Sequence, residues 1–249
     1  MRRARSLARK VHAHDSTLQK AKLDANVVWF CVPDSRIEKI AGELSSSHWN
    51  DKCAFHSSGV LPAEVLSTVR KKGGAIASVH PLMTFIHGSL PDLRGVAFAI
   101  EGDRPAVKIA ATVVRNLKAT PRRIRAQDKP AYHAFATMIC PLLVALLASA
   151  EQAARAAGVS AREARRRMRP IIIQTAANYV RFGAAKAFTG PIVRGDTQTV
   201  RLHLQALAKS PAAQKVYAAL LEAALELLPS QKKNELKKFF AGISLRPSR

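Results

Sequence analysis

ANVVWFCVPDSRIEKIAGEL, residues 25–44, is the stretch whose reading decides the fold. Residues 25–32 are almost wholly apolar and rich in valine and aromatic side chains, as a parallel strand buried on both faces reads. The run stops at Pro33-Asp34, and SRIEKIAGEL then changes to a helical period. Working outward, the same alternation repeats. KCAFH (52–56) is a second strand, ending in Ser57-Ser58-Gly59. PAEVLSTVRKKGG (62–74) is a helix with proline at its start and glycines at its stop. AIASVHP (75–81) gives a third strand and GVAFAIEG (95–102) a fourth. Asp103 is placed to cap the helix RPAVKIAATVVRNL (104–117), and RRIRA (122–126) reads as a last strand. Repeated β-α-β units with short connections predict a parallel, doubly wound sheet.

Beyond Gln127 the strand signal vanishes. DKPAYHAFATMICPLLVALLASAEQAARAAG (128–158) reads as one long apolar helix, capped by Asp128, stopped by Gly158 and kinked at Pro141. SAREARRRMRPIIIQTAANYVRFG (160–183) opens with Ser160 and Glu163 in capping-box spacing. TVRLHLQALAK, PAAQKVYAALLEAALELL and QKKNELKKFF add further helices. The expected fold class is therefore α/β plus all-α: a Rossmann-like domain over residues 1–126 and a helical domain over 127–249.

Composition sets the outer limits. The 249 residues are 48% hydrophobic, which fits globular domains with ample core. The three cysteines, Cys31, Cys53 and Cys140, sit in apolar segments without paired spacing and read as reduced, buried thiols of a cytoplasmic protein. MRRARSLARK is basic but leads into HAHDSTLQK, not an apolar core, so no secretory signal is expected. The longest uncharged run, residues 134–150, contains Pro141 and reads as a buried helix or subunit interface, with no membrane partner expected. Forty Lys and Arg against 17 Asp and Glu leave a net charge of +23, a field that attracts polyanions. Aromatic residues, 6% of the chain, are not interleaved with the basic clusters, so nucleic acid is the less favoured partner and a solvated basic surface the favoured one.

A dinucleotide-binding sheet normally opens with a strand, a G-x-G-x-x-G turn, a helix and a second strand. No such turn precedes Ala25, and the basic segment 2–10 is the kind that follows that second strand. The expectation is a Rossmann-like sheet truncated by roughly one β-α-β unit of about 30 residues, through a mis-assigned start or a natural loss.

ANVVWFCVPDSRI, FHSSGVLPAEVL, SVHPLMTF, LRGVAFAIEGD, DKPAYHAFAT and TGPIVRGDTQTVRLHLQAL together resemble the bacterial Rossmann-like proteins that carry a C-terminal domain of unknown function numbered 2520. That family is similar in plan to pyrroline-5-carboxylate reductase and the coenzyme-F420-dependent NADP oxidoreductases. The resemblance implies an NADP- or NAD-binding fold and a helical domain like the C-terminal domain of 6-phosphogluconate dehydrogenase. It supplies no substrate.

Candidate site residues follow from the strand ends, because ligands of open α/β sheets lie beyond the carboxyl ends of the strands. Val32, Pro33 and Asp34 close the first strand, where a reductase-type plan puts the nicotinamide ribose. Ser57 and Ser58 end the second, with hydroxyls suited to phosphate or carboxylate. His80 ends the third and is a candidate proton donor to a carbonyl or imine; Thr84, just beyond, is a candidate substrate contact. Lys129 and His133, four apart, share a helix face near the position of the acid/base lysine of hydroxyacid-type dehydrogenases. Asn178, a poor helix former in mid-helix, and Arg194, able to grip carboxylate or phosphate with two donors, complete the substrate set. Arg2, Arg3 and Arg5 would stand where a 2′-phosphate is read. No metal spacing is found among the histidines. The expected function is reduction of a small carbonyl or imine by NADP or NAD in a homodimer paired through its helical domain; the alternatives are a non-catalytic nucleotide- or partner-binding scaffold and a polyanion binder.

Overall fold

The computed structural model describes residues 2–20, 23–44, 48–86 and 88–242. In chain order the helices and strands are α1 (Arg2–Lys10), β1 (Val27–Phe30), α2 (Asp34–Glu43), β2 (Cys53–His56), α3 (Ser67–Arg70), β3 (Ala75–Pro81), β4 (Ala97–Gly102), α4 (Arg104–Asn116) and β5 (Thr120–Arg123). Helices follow: α5 (Lys129–Ile139), α6 (Pro141–Ala156), α7 (Ala161–Phe182), α8 (Ala184–Ala187), α9 (Pro191–Arg194), α10 (Thr197–Ala206), α11 (Pro211–Leu227) and α12 (Lys233–Ala241). The chain divides into two compact units, Met1–Ile139 and Cys140–Arg249, so α5 is counted with the sheet.

The five strands lie in the order β1-β2-β3-β4-β5. β1, β2 and β3 are parallel to one another, as are β4 and β5, but β3 and β4 run antiparallel. The expectation of an all-parallel sheet is corrected at that one junction. A parallel neighbour needs a crossover, usually a helix, to carry the chain back. Residues 82–96 contain no helix among the described residues, so β4 returns in the opposite sense.

Each face of the sheet has its own core. Phe55, Ala77, Val79, Phe98 and Ile100 point to one side and meet Ala106, Val107, Ala110 and Val114 of α4. Phe30, Ala54 and Ile76 point to the other and meet Ile37 and Ala41 of α2 with Leu66 and Val69 around α3. Each such side chain, fully buried, contributes about 1.5–3 kcal/mol.

Several local expectations are corrected. The predicted helix at 62–74 is a 3-10 turn, Ala63–Leu66, followed by the single turn of α3. Asp103 does stand before α4, yet its carboxylate accepts from the Ile76 N–H (3.0 Å) and holds Arg70 instead of capping the helix. The last strand begins at Thr120, earlier than RRIRA suggested. Asp128 is held by Arg125 at 2.6 and 2.9 Å and caps nothing. Pro141 does more than kink the apolar helix. Cys140 leaves the helical region (φ −120°, ψ −86°), α5 ends at Ile139, and Pro141 starts α6 where its missing N–H costs nothing. The stretch Ala126–Ala156, broken at Cys140, is long and apolar enough to cross a bilayer by length and composition alone. Only Cys53 of the three thiols is buried; Cys31, beyond the end of β1, is exposed and Cys140 half-buried.

In the helical unit the Ser160 cap holds as spaced, and Asp196 adds a second. Ser160 Oγ accepts from the Glu163 N–H, and Asp196 accepts from the Thr199 N–H at 2.9 Å. Val200 and Leu204 of α10 pack with Leu221 and Leu225 of α11 and Leu236 of α12.

Candidate site at the carboxyl ends of β2 and β3

Strand alternation puts Ile76, Ser78 and His80 on one face of β3, and register carries that face sideways. His56 of β2 stands opposite Ser78, and Ser78 stands opposite Glu101 of β4. The result is a transverse row, His56–Ser78–Glu101, of polar side chains that are all buried. Every one has found a partner, as burial requires. His56 Nε2 lies 3.1 Å from the Pro62 carbonyl and Nδ1 accepts from the Ser58 N–H, so the proton sits on Nε2 and the ring is neutral. Glu101 accepts from the Ala63 N–H at 2.6 Å.

Lys129, the first residue of α5, lands on this row. It is 1% exposed, and its amine donates to the Ser58 carbonyl (3.1 Å) and to Ser78 Oγ (2.7 Å). No carboxylate lies within ion-pair distance of it among the described residues. Lys129 is thus a buried residue and not a solvated one. Burial pushes its ammonium below the ordinary lysine value, against the opposing charges of Glu101 and Asp34. Burial likewise raises the Glu101 carboxyl, against the Ala63 N–H and Lys129. His56 is lowered to about 4, chiefly by burial, with the Pro62 carbonyl opposing and the Lys129 charge adding.

One turn of helix further, His133 faces His80. Their rings meet edge to face with centroids 5.7 Å apart. Gly59 is what lets them: a Cβ there would collide with the His133 ring and come within 2.9 Å of His80 Cε1. His80 Nδ1 lies 3.1 Å from the Ser57 carbonyl. A carbonyl only accepts, so Nδ1 carries the proton and Nε2 presents a lone pair with no partner among the described residues. Burial depresses His80 below the ordinary imidazole value, and the charges of Lys129 and His133 add to that. His80 is therefore a half-exposed, neutral ring with one nitrogen fixed and the other open.

The structure brings His80, Lys129, His133, Ser57, Ser58 and Asp34 together. It commits the two serines inward: Ser57 Oγ accepts from Trp29 Nε1, while Ser58 Oγ donates to Asp34 at 2.6 Å and accepts from the Leu61 N–H. Val32 and Pro33 form the turn between β1 and α2, and Thr84 is exposed in the loop after β3. Asn178 and Arg194 belong to the other unit. Asn178 accepts from Gln174 at 2.8 Å, and exposed Arg194 ends α9, outside any ion pair among the described residues. Arg2 and Arg3 stand in α1, their side chains outside the described residues; Arg5 pairs with Asp15. Sequence reasoning missed Ser78 and Glu101. Their signal was available in part: a serine and a glutamate each interrupting an apolar strand.

The fit to a nicotinamide dinucleotide is partial. The open His80 nitrogen is available to a bound ligand. No glycine-rich turn for the pyrophosphate occurs among the described residues.

Solved structures share this architecture. A protein from Thermotoga maritima is 24% identical, with TM-score 0.70, and the match covers 96% of this chain and 87% of that one. A candidate NADP oxidoreductase from Bacteroides fragilis is 21% identical, with TM-score 0.75 and coverage of 88% and 83%. A pyrroline-5-carboxylate reductase from Coxiella burnetii is 14% identical, with TM-score 0.55 and coverage of 96% and 85%. At these identities the likeness is one of fold: a Rossmann-like sheet followed by a helical domain. No curated protein matches the sequence. Residues 96–224 match the family described as a domain of unknown function, DUF2520, and the chain belongs to that family.

Proposed function

We propose that this protein is an NADP- or NAD-linked oxidoreductase acting on a small carbonyl, imine or the corresponding alcohol or amine, as a cytoplasmic homodimer. The observation that carries the reading is His80, fixed through Nδ1 on the Ser57 carbonyl and open at Nε2. The fold, shared with NADP-dependent reductases, supports it. A bound nicotinamide cofactor supplies or takes the hydride. The chain's own residues manage the proton. Neutral His80 accepts it at Nε2 when an alcohol or amine is oxidised, and returns it from Nε2–H in the reducing direction, which gains as pH falls toward its depressed value. Lys129 is a positioning residue. It acts through the Ser58 carbonyl and through its charge, which lowers the proton affinity of His80. Arg194, Asn178 and Thr84 are the substrate-binding candidates.

The test begins with thermal-shift titrations against NADPH and NADH at two salt concentrations. Saturable stabilisation that survives salt supports a nicotinamide site; at a hundredfold excess over Kd it reaches about 2.7 kcal/mol. No shift with either cofactor overturns the reading for this chain. His80→Asn, whose amide can still donate to Ser57, keeps cofactor binding and loses turnover of carbonyl and imine panels.

A further inference from the structure

The net charge of +23 is not spread evenly. Arg104, Lys108 and Arg115 stand four and seven residues apart on α4 and so share one stripe, with Arg122 and Arg123 of β5 across a groove from them. All five are exposed, and none forms an ion pair among the described residues. Some other surface arginines, Arg70, Arg94, Arg125, Arg165, Arg166 and Arg167, are each held by a carboxylate, while others, Arg194 among them, are not. β5 is an edge strand of the sheet, pairing with β4 alone. Arginines on an edge also block strand-to-strand aggregation, which would account for Arg122 and Arg123. It does not account for the stripe on α4, which is no part of the strand edge.

We propose that this groove binds the phosphodiester backbone of a nucleic-acid duplex. The stripe from Arg104 to Arg115 is about 16 Å long at 1.5 Å per residue. Along a duplex axis that length corresponds to roughly five base steps at 3.4 Å each. The groove floor, Ile100, Val107, Ala111 and Pro121, has no aromatic ring on which an unpaired base could stack. Recognition is therefore of charge spacing, without sequence preference, and belongs to a duplex more than to a single strand. Composition alone favoured a solvated basic surface; the clustering of unpaired cations in one groove is what changes the reading.

The experiment is fluorescence anisotropy of the full chain with a labelled duplex DNA of arbitrary sequence, across a salt series. Five phosphate contacts give a slope of log K against log salt near −4.5, at about −0.9 per contact. Arg115→Glu with Arg122→Glu lowers affinity at least about tenfold and flattens the slope by about 2. Lys237→Glu with Lys238→Glu, on exposed positions of α12, makes the same change in net charge and leaves both nearly unaltered. Equal losses from the two pairs would mean that only the overall field acts, and would overturn the proposal. So would no measurable binding to the duplex, or a groove variant that loses binding to phosphatidylglycerol vesicles while holding DNA unchanged. Both substituted pairs are surface residues, and unchanged melting curves certify that the variants are folded.

Discussion

The two units of this chain depart from ordinary globular proteins in opposite ways. In the sheet unit the unusual burials are polar: His56, Ser78, Glu101 and Lys129 all lie inside, each with a partner. In the helical unit the unusual exposures are apolar. Leu142, Leu143 and Val144 of α6 and Ile171, Ile173, Tyr179, Val180 and Phe182 of α7 face outward, Val180 with 84% of its surface. The sheet unit has exposed apolar residues too, among them Phe85, Ile86 and Leu90 and, on α5, Phe135 and Met138. A unit that leaves apolar side chains bare along two long helices offers an interaction surface. The eight side chains offer about 800 Å² at roughly 100 Å² each, one partner's share of a standard interface.

The sharpest way to break the comparison is therefore at α7. With the second copy of this chain as occupant, Ile173→Glu with Val180→Glu, seven apart on one stripe, puts two carboxylates into the dimer contact. The expected loss is at least about a thousandfold in self-association, about 4 kcal/mol, read as a dimer-to-monomer change in sedimentation velocity. A wild-type protein that sediments as a monomer at tens of micromolar would remove the second copy as the occupant and leave the bare helices unexplained.

The polar side of the comparison is tested by acid. His56 is neutral in the fold with its proton affinity lowered to about 4, against an ordinary 6.5. Between those values the unfolded chain binds the proton and the folded one does not, so stability rises with pH and is lost as pH falls from 6.5 toward 4. The two and a half units amount to about 3 kcal/mol at 1.36 kcal/mol each. His80, lowered in the same direction, adds to the slope with the same sign. Urea midpoints at pH 7, 6, 5 and 4 should fall steadily, and His56→Gln should flatten much of the fall. A midpoint indifferent to pH in this window would contradict a buried neutral His56.

What was legible in the sequence, and what was not, follows the same division. β3 was readable to the residue, 75–81, because a buried strand bounded by Gly74 and Pro81 carries its own punctuation. The cap at Ser160 was readable because it is local chemistry. The direction of β4 was not, since antiparallel return depends on the absence of a helix in 82–96 and on which edge the strand finds. The polar row was not either. His56, Ser78 and Glu101 are 22 and 23 positions apart in sequence and become neighbours only through strand register. The spacing of Lys129 and His133 put them on one helix face but said nothing of depth. It is Gly59, an open position in a turn by sequence, that lets His133 reach His80.

The smallest effect carries the most information about why the polar row exists. A buried lysine without an ion pair costs stability, because its charge is desolvated or its proton is surrendered. Lys129→Met keeps the length of the side chain and removes the amine. The two acceptors it leaves are not both orphaned, since Ser78 Oγ already lies 3.4 Å from the Ser58 carbonyl as its donor. The expected result is a gain of about 1 kcal/mol in unfolding free energy, in line with the replacement of other buried charges by apolar residues. With the amine gone, one of the charges depressing His80 is gone too, so its titration moves up toward the ordinary imidazole value, visible by NMR of the ring. A stabilised variant with a shifted His80 identifies Lys129 as a residue retained for the site at a cost to the fold. A variant weaker by 2 kcal/mol or more, with His80 unmoved, identifies it as a strut between α5 and the sheet, and the acid/base reading then rests on His80 alone.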